Sequence, residues 1–189
     1  MARGYPCATN FPIAGLIMGA VYRFSQFMRS LTTKPSSHLL AEIDAYLSPS
    51  LRSLFDGMQP SEQAHALRVF ADLRKQGQNN PDLLCAALLH DVGKAAFPLQ
   101  LWERVFIVLV QWMLPERLDA WGQGEARGWR KALVVARNHP IWGADMIQQA
   151  GGKQRAQDLV RRHQDPPGPE MDQTQRSLLL ALQEADNRN

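Results

Sequence analysis

Beyond Ser36 the apolar positions recur at helical spacing almost to the end of the chain. Ser36 and Ser37 offer caps for a segment running to about Leu47, whose Leu39, Leu40, Ile43, Tyr46 and Leu47 share one face. Pro49 opens a short segment to Phe55, ended by Gly57. Ser61 is expected to cap the next helix, in which Ala64, Leu67, Val69, Phe70 and Leu73 pack and which Gly77 stops. Asn80 and Pro81 read as N-cap and first residue of a helix through His90. Leu99 to Leu114 is strongly apolar and ends at Pro115. Gly128 to Arg137 reads as one helix, and His139-Pro140 as the opening of a separate one that runs to Ala150. Lys153 to His163 follows, then a Pro-rich loop, then a last helix from Asp172 to about Asp186. No pair of alternating stretches flanks a tight turn, so the fold class is all-α.

One segment departs from the amphipathic pattern. Val105-Phe106-Ile107-Val108-Leu109-Val110 is apolar all round, which predicts a helix buried in the bundle. All five tryptophans fall between residues 102 and 142, so residues 95–130 read as an apolar, Trp-rich insert or lid.

Composition separates the N-terminal arm from the rest. The 189 residues carry a net charge of +3. Up to Ala41 there is no acid, but Arg3, Arg23, Arg29 and Lys34 are present. The rest of the chain carries 17 Lys and Arg against 18 Asp and Glu, with no basic stripe, so no specific nucleic-acid partner is expected. Residues 1–35 read as a basic, apolar extension that is poorly ordered or begins upstream of the true start. Its uncharged run from Phe11 to Tyr22 is shorter than the ~20 residues of a membrane span, so at most a weak membrane-surface contact is expected. The two cysteines cannot build a disulfide framework, and Cys85 lies in an apolar run as a buried, inert thiol. The expected location is the cytoplasm.

Four of the five histidines and two aspartates stand at helix-borne positions: His65, His90 with Asp91, His139, His163 and Asp186. Imidazole nitrogens and carboxylate oxygens are the usual ligands of Mn, Fe, Co, Ni and Zn. Intervals of 25, 48, 24 and 23 residues are each about one or two helix hairpins, so different helices could present single ligands to one interior point. The His90-Asp91 pair ends the most apolar helix, where an unpaired carboxylate would be costly. Arg68 follows His65 by three residues and could face the same cleft or simply the surface. Gly93-Lys94 is not a phosphate-binding loop, because the upstream glycine is missing and a helix precedes it.

Ala87-Leu88-Leu89-His90-Asp91-Val92-Gly93-Lys94 resembles the signature of the HD-domain metal-dependent phosphohydrolase superfamily. The order H…HD…H…H…D is similar to its dinuclear branch, and His139-Pro140-Ile141-Trp142-Gly143-Ala144 to a stretch seen in several members. The resemblance implies an HD-type helical bundle over residues 36–189 with a metal site in its centre. It implies one or two divalent transition metal ions (Mn, Fe, Co, Ni or Zn). His65, His90, Asp91 and Asp186 would hold the first ion, and Asp91 would bridge to a second completed by His139 and His163. A metal-bridged hydroxide would then cleave a phosphate ester or anhydride of a nucleotide-like small molecule. Lys94, and Arg68 beside it, would bind the phosphoryl group. The cyclic-dinucleotide branch carries a second histidine and a GYP triplet where this chain has His163-Gln164-Asp165-Pro166, so that branch is not expected. Two other readings stay open: a di-iron oxygenase of the same fold, and a non-catalytic signalling or scaffold domain.

Overall fold

A computed structural model describes residues 37–189, so the expectations for the N-terminal arm lie outside the described residues. The order is α1 (Ser37–Glu42), α2 (Pro49–Asp56), α3 (Pro60–Lys75), α4 (Pro81–Leu89), α5 (Leu101–Met113), α6 (Pro115–Trp121), α7 (Lys131–Gln149), α8 (Gln154–Arg162) and α9 (Gln173–Arg188). Tight 3-10 turns at Ile43–Ala45, Val92–Ala96 and Gly128–Arg130 join some of them, and no strand occurs among the described residues. The all-α class read from the periodicity is the observed one.

The centre is α4. Every residue from Leu83 to Leu89 is buried, and α3, α8 and α9 pack around the helix. Its start matches the sequence pattern: the Asn80 side chain accepts from the amides of Asp82 and Leu83 at 3.0 and 3.1 Å, and Pro81 occupies the first turn, where its missing N–H costs nothing. Cys85 sits in this helix, and burial pushes its thiol up to about 12, which keeps it protonated and inert. Phe55 and Met58 of the α2 region, Phe70 and Leu73 of α3 and Leu179 and Leu182 of α9 complete the same core.

Several boundaries differ from those read in the sequence. The first helix ends at Glu42 and tightens into the 3-10 turn rather than running to Leu47. The third begins at Pro60 after Gln59, not at a Ser61 cap. Helix α6 arises from Pro115 inside the insert, where no separate helix was read. The largest correction concerns His139-Pro140, which opens no helix. It lies inside a single 19-residue helix, α7, with Pro140 buried. Proline cannot donate to the carbonyl four residues earlier, so the helix accepts this loss in exchange for packing along α8 and the 3-10 turn after Asp91.

The apolar run also departs from expectation. Of α5, only Glu103 and Val110 are buried. The helix has three sides. One, with Ile107 beside the buried pair, packs toward α7 and a small second cluster of Leu99, Ala132 and Val135. A second, with Arg104, Val108 and Gln111, lines a pocket. The third exposes Trp102, Leu109, Trp112 and Met113.

Candidate metal centre

Five helices deliver the candidate ligands. His65 projects from α3, His90 caps the C-terminus of α4, and Asp91 leads into the following 3-10 turn. His139 comes from α7, His163 from the C-terminal cap of α8, and Asp186 from α9. The structure brings all six together. His65, His90 and Asp186 form one group, and Asp91, His139 and His163 another, with the ligand atoms of each group within 4.8 Å of one another.

The two groups touch. His65 Nε2 lies 2.8 Å from Asp186 Oδ1, and His90 Nε2 lies 3.5 Å from the same oxygen. Asp91 stands between the groups, with Oδ2 at 3.6 Å from His90 Nε2 and Oδ1 at 3.2 Å from His139 Nε2. Its two oxygens therefore address the two groups separately, as a bridging carboxylate must. The imidazoles form a chain of edge-on contacts, His65–His90–His163–His139, with ring centroids 5.2 to 5.3 Å apart.

Backbone carbonyls fix the rings. His90 Nδ1 lies 2.9 Å from the Ala87 carbonyl, His139 Nδ1 3.0 Å from Val135 and His163 Nδ1 2.7 Å from Val160. A carbonyl only accepts, so each Nδ1 carries a proton and donates, which turns each Nε2 inward. Nε2 of His90 and of His163 is buried without a hydrogen-bond partner. Such orphaned atoms are costly unless something binds them. An arrangement of imidazole and carboxylate donors in which Nε2 of His163 has no partner, and Nε2 of His90 faces only the Asp91 and Asp186 carboxylates at 3.6 and 3.5 Å, fits transition metal ions.

Without metal the charges push the groups apart. Burial works against the charged form of His90, but Asp91 and Asp186 outweigh it and hold its pKa at about 9. Burial and the neighbouring His139 and His90 drive His163 down to about 3. Burial would raise both aspartates, but Lys94 and His90 hold Asp91 well below the usual carboxylate range, and His90 and His65 do the same for Asp186. The metal-free protein should therefore be most stable near pH 6 to 7. The His90 contribution is complete below its unfolded value of about 6.5 and is lost as pH rises through about 9. The His163 contribution is complete above about 6.5 and declines as pH falls toward about 3, where the loss from the aspartates joins it. Denaturant unfolding in chelator across this range reads it, and a stability that is flat from pH 5 to 9 would contradict it.

Two openings flank the cluster. A pocket of about 220 Å³ reaches His139 and Lys94 and has aliphatic walls from Leu99, Val105, Ile107, Val108 and Ala136. A larger polar recess of about 590 Å³ reaches His163 and Asp186, lined by Gln164, Gln183 and Asn187. Gln111 and Gln164 border both.

Lys94 reaches back one turn, its Nζ donating to Asp91 Oδ2 at 2.7 Å. Burial lowers its pKa, but Asp91 and Glu62 raise it further, so the ammonium stays charged. Arg68 lines neither pocket; its Nη1 and Nη2 are buried without a hydrogen-bond partner. Sequence reading missed Glu62, Arg104, Gln111 and Gln164. Glu62 is buried, accepts from Arg104 at 2.8 Å and lines the aliphatic pocket. Burial raises its carboxyl pKa, which Lys94 opposes. Gln164 Nε2 lies 3.4 Å from His139 Nε2. A hint existed for Glu62 alone, which precedes His65 by three residues on the same helix.

The closing of the site depends on one glycine. A Cβ on Gly93 would lie 2.1 Å from the His139 carbonyl oxygen and 2.7 Å from the Gly143 amide nitrogen. The His-Asp turn therefore packs backbone to backbone on α7, and that contact sets Asp91 against His139.

An all-α domain that gathers four histidines and two aspartates from five helices is a helical metal-site protein. The HD domain family model matches residues 63–187, a span that contains all six candidate ligands, and the chain belongs to this family, the HD-domain metal-dependent phosphohydrolase superfamily. No curated protein and no solved structure matches the chain.

Proposed function

We propose that the chain hydrolyses a phosphate ester or phosphoanhydride of a nucleotide-like small molecule at the centre formed by His65, His90, Asp91, His139, His163 and Asp186. The observation that carries this reading is the pair of buried Nε2 atoms without a hydrogen bond beside a carboxylate whose two oxygens address two ligand groups. His65, His90 and Asp186 would hold one ion, His139 and His163 a second, and Asp91 both. When bound, such a pair supplies Lewis acidity toward phosphoryl oxygens and lowers the pKa of water.

The chain's own residues supply the rest. Backbone carbonyls keep three imidazoles in the tautomer that offers Nε2. The Lys94 ammonium sits at the edge of the aliphatic pocket, placed to offset negative charge developing on the phosphoryl group. The aliphatic walls exclude water from the organic part of the substrate, and the wider recess beside His163 and Asp186 gives the phosphate a polar approach. Arg68 lines neither opening, so its buried guanidinium is given no contact with the substrate.

Phosphate release from a panel of phosphomonoesters, dinucleoside polyphosphates and cyclic dinucleotides, with metal-loaded protein, tests the reading. At least one class should turn over with chelator-sensitive kinetics. Failure of all three across Mn, Fe, Co, Ni and Zn would overturn it. Lys94→Met should keep its metal and lose about a hundredfold in kcat, the scale of one lost electrostatic donor. Unchanged kcat in this variant would remove Lys94 from the mechanism.

A further inference from the structure

We infer that the exposed side of α5 is a docking surface for an anionic lipid bilayer, on which the protein lies without crossing. Among the described residues, eight of the ten large apolar side chains that stand exposed fall between Phe97 and Trp129, and six of them are on α5 or at its end. Trp102, Leu109 and Met113 follow one another at i, i+7 and i+11, with Trp112 and Leu101 beside them, so they form one face. Met113 is 64% exposed and Trp102 61%. These side chains make one apolar stripe open to solvent along the helix.

The helix keeps charge off this face. Its only two charged residues are Glu103 and Arg104, and both turn away from it. Glu103 is buried and accepts from Lys131 at 3.2 Å and from the Gln100 amide at 2.7 Å. Arg104 reaches Glu62 on α3. The outward face therefore presents no charge along its length, with a tryptophan near each end. Tryptophan favours a bilayer interface, where its ring is apolar and its N–H meets water.

Area and charge favour lipid over a second copy. A 13-residue helix is about 20 Å long, and a stripe about 10 Å wide on it offers about 200 Å². A stable dimer needs roughly 800 Å² from each partner. A lipid surface needs no matching shape, but durable attachment takes two weak signals. The second signal is in the sequence: the acid-free residues up to Ala41 carry Arg3, Arg23, Arg29 and Lys34 with the apolar run from Phe11 to Tyr22, a composition complementary to anionic headgroups. No helix among the described residues is long and apolar enough to cross a membrane. The same helix lines the pocket beside His139 with its other side, so a docked protein would keep that pocket next to the bilayer.

Co-sedimentation of the full chain with phosphatidylcholine vesicles, with and without phosphatidylglycerol, tests this. Wild type should sediment with the mixed vesicles more than with pure phosphatidylcholine, with a blue shift in tryptophan emission. The double variant Leu109→Glu, Met113→Glu should lose at least about tenfold in partition, since both charges would enter the interface. Leu109→Gln should give a smaller loss, and both proteins should keep the wild-type helical signal and melting curve. Wild type that stays in the supernatant overturns the proposal, as does a double variant that sediments like wild type. A wild-type dimer by light scattering that the double variant splits would assign the face to a second copy and overturn it too. None of these outcomes depends on hydrolysis.

Discussion

Asp91→Ala protein is expected to fold and to lose phosphate release by at least about a thousandfold. Among the described residues, Asp91 alone has two oxygens that face both ligand groups, at 3.6 Å from His90 Nε2 and 3.2 Å from His139 Nε2. Removing it unties the two halves of the centre and strips Lys94 of its acceptor at 2.7 Å. Its side chain also helps hold His90 in the charged form in metal-free protein, so the variant should shift that histidine down. Histidine resonances in a chelator-treated NMR titration read that shift separately from activity. Asp91→Asn tests the charge with less change of shape. Hydrolysis by Asp91→Ala at the wild-type rate would mean that the reaction does not use this centre.

Gly93→Ala is expected to be the most damaging glycine-to-alanine change among the described residues. The added Cβ would meet backbone, at 2.1 Å from the His139 carbonyl oxygen and 2.7 Å from the Gly143 amide nitrogen. Backbone cannot rotate away as a side-chain tip can, so α7 must move off the turn that carries Asp91. Overpacking of this severity costs about 3 kcal/mol or more. The same shift separates Asp91 from His139, so the variant should also hold metal less tightly. Gly143→Ala is the control: its Cβ would sit 3.2 Å from the Gly93 amide nitrogen and 3.3 Å from Val92 and Val160 methyls, and should cost about 1 kcal/mol. Urea melts of the two variants give the comparison. Equal stability of the two proteins would show that the turn and α7 are not packed as described.

The candidate ligands were legible because their order, with an apolar run ahead of His90-Asp91, resembles the signature of a known family; spacing alone only allowed them to meet. The cap at Asn80 was legible for a local reason, since its donors lie two and three residues away. Pro140 misled because proline most often starts a helix, and only the packing of α7 on α8 and on the Gly93 turn makes the exception. The apolar run in α5 misled in another way. Hydrophobicity says that a surface needs a cover, but not that the fold supplies one, and here it supplies cover on one side only. Arg104 and Gln111 were invisible because their place beside the centre comes from an element far from the ligands in the chain. The role of Gly93 was likewise hidden, since a missing side chain shows its purpose only when the opposing backbone is known.

The most direct measurement is the metal content of purified wild-type protein after reconstitution with Mn, Fe, Co, Ni or Zn and removal of free ions. Two buried ligand groups sharing Asp91 predict close to two ions per chain for at least one of these metals, with release by chelator and a stoichiometry that drops in both His90→Ala and His163→Ala. A wild-type protein that retains none of them, or variants that retain as much as wild type, would contradict a metal centre at this site.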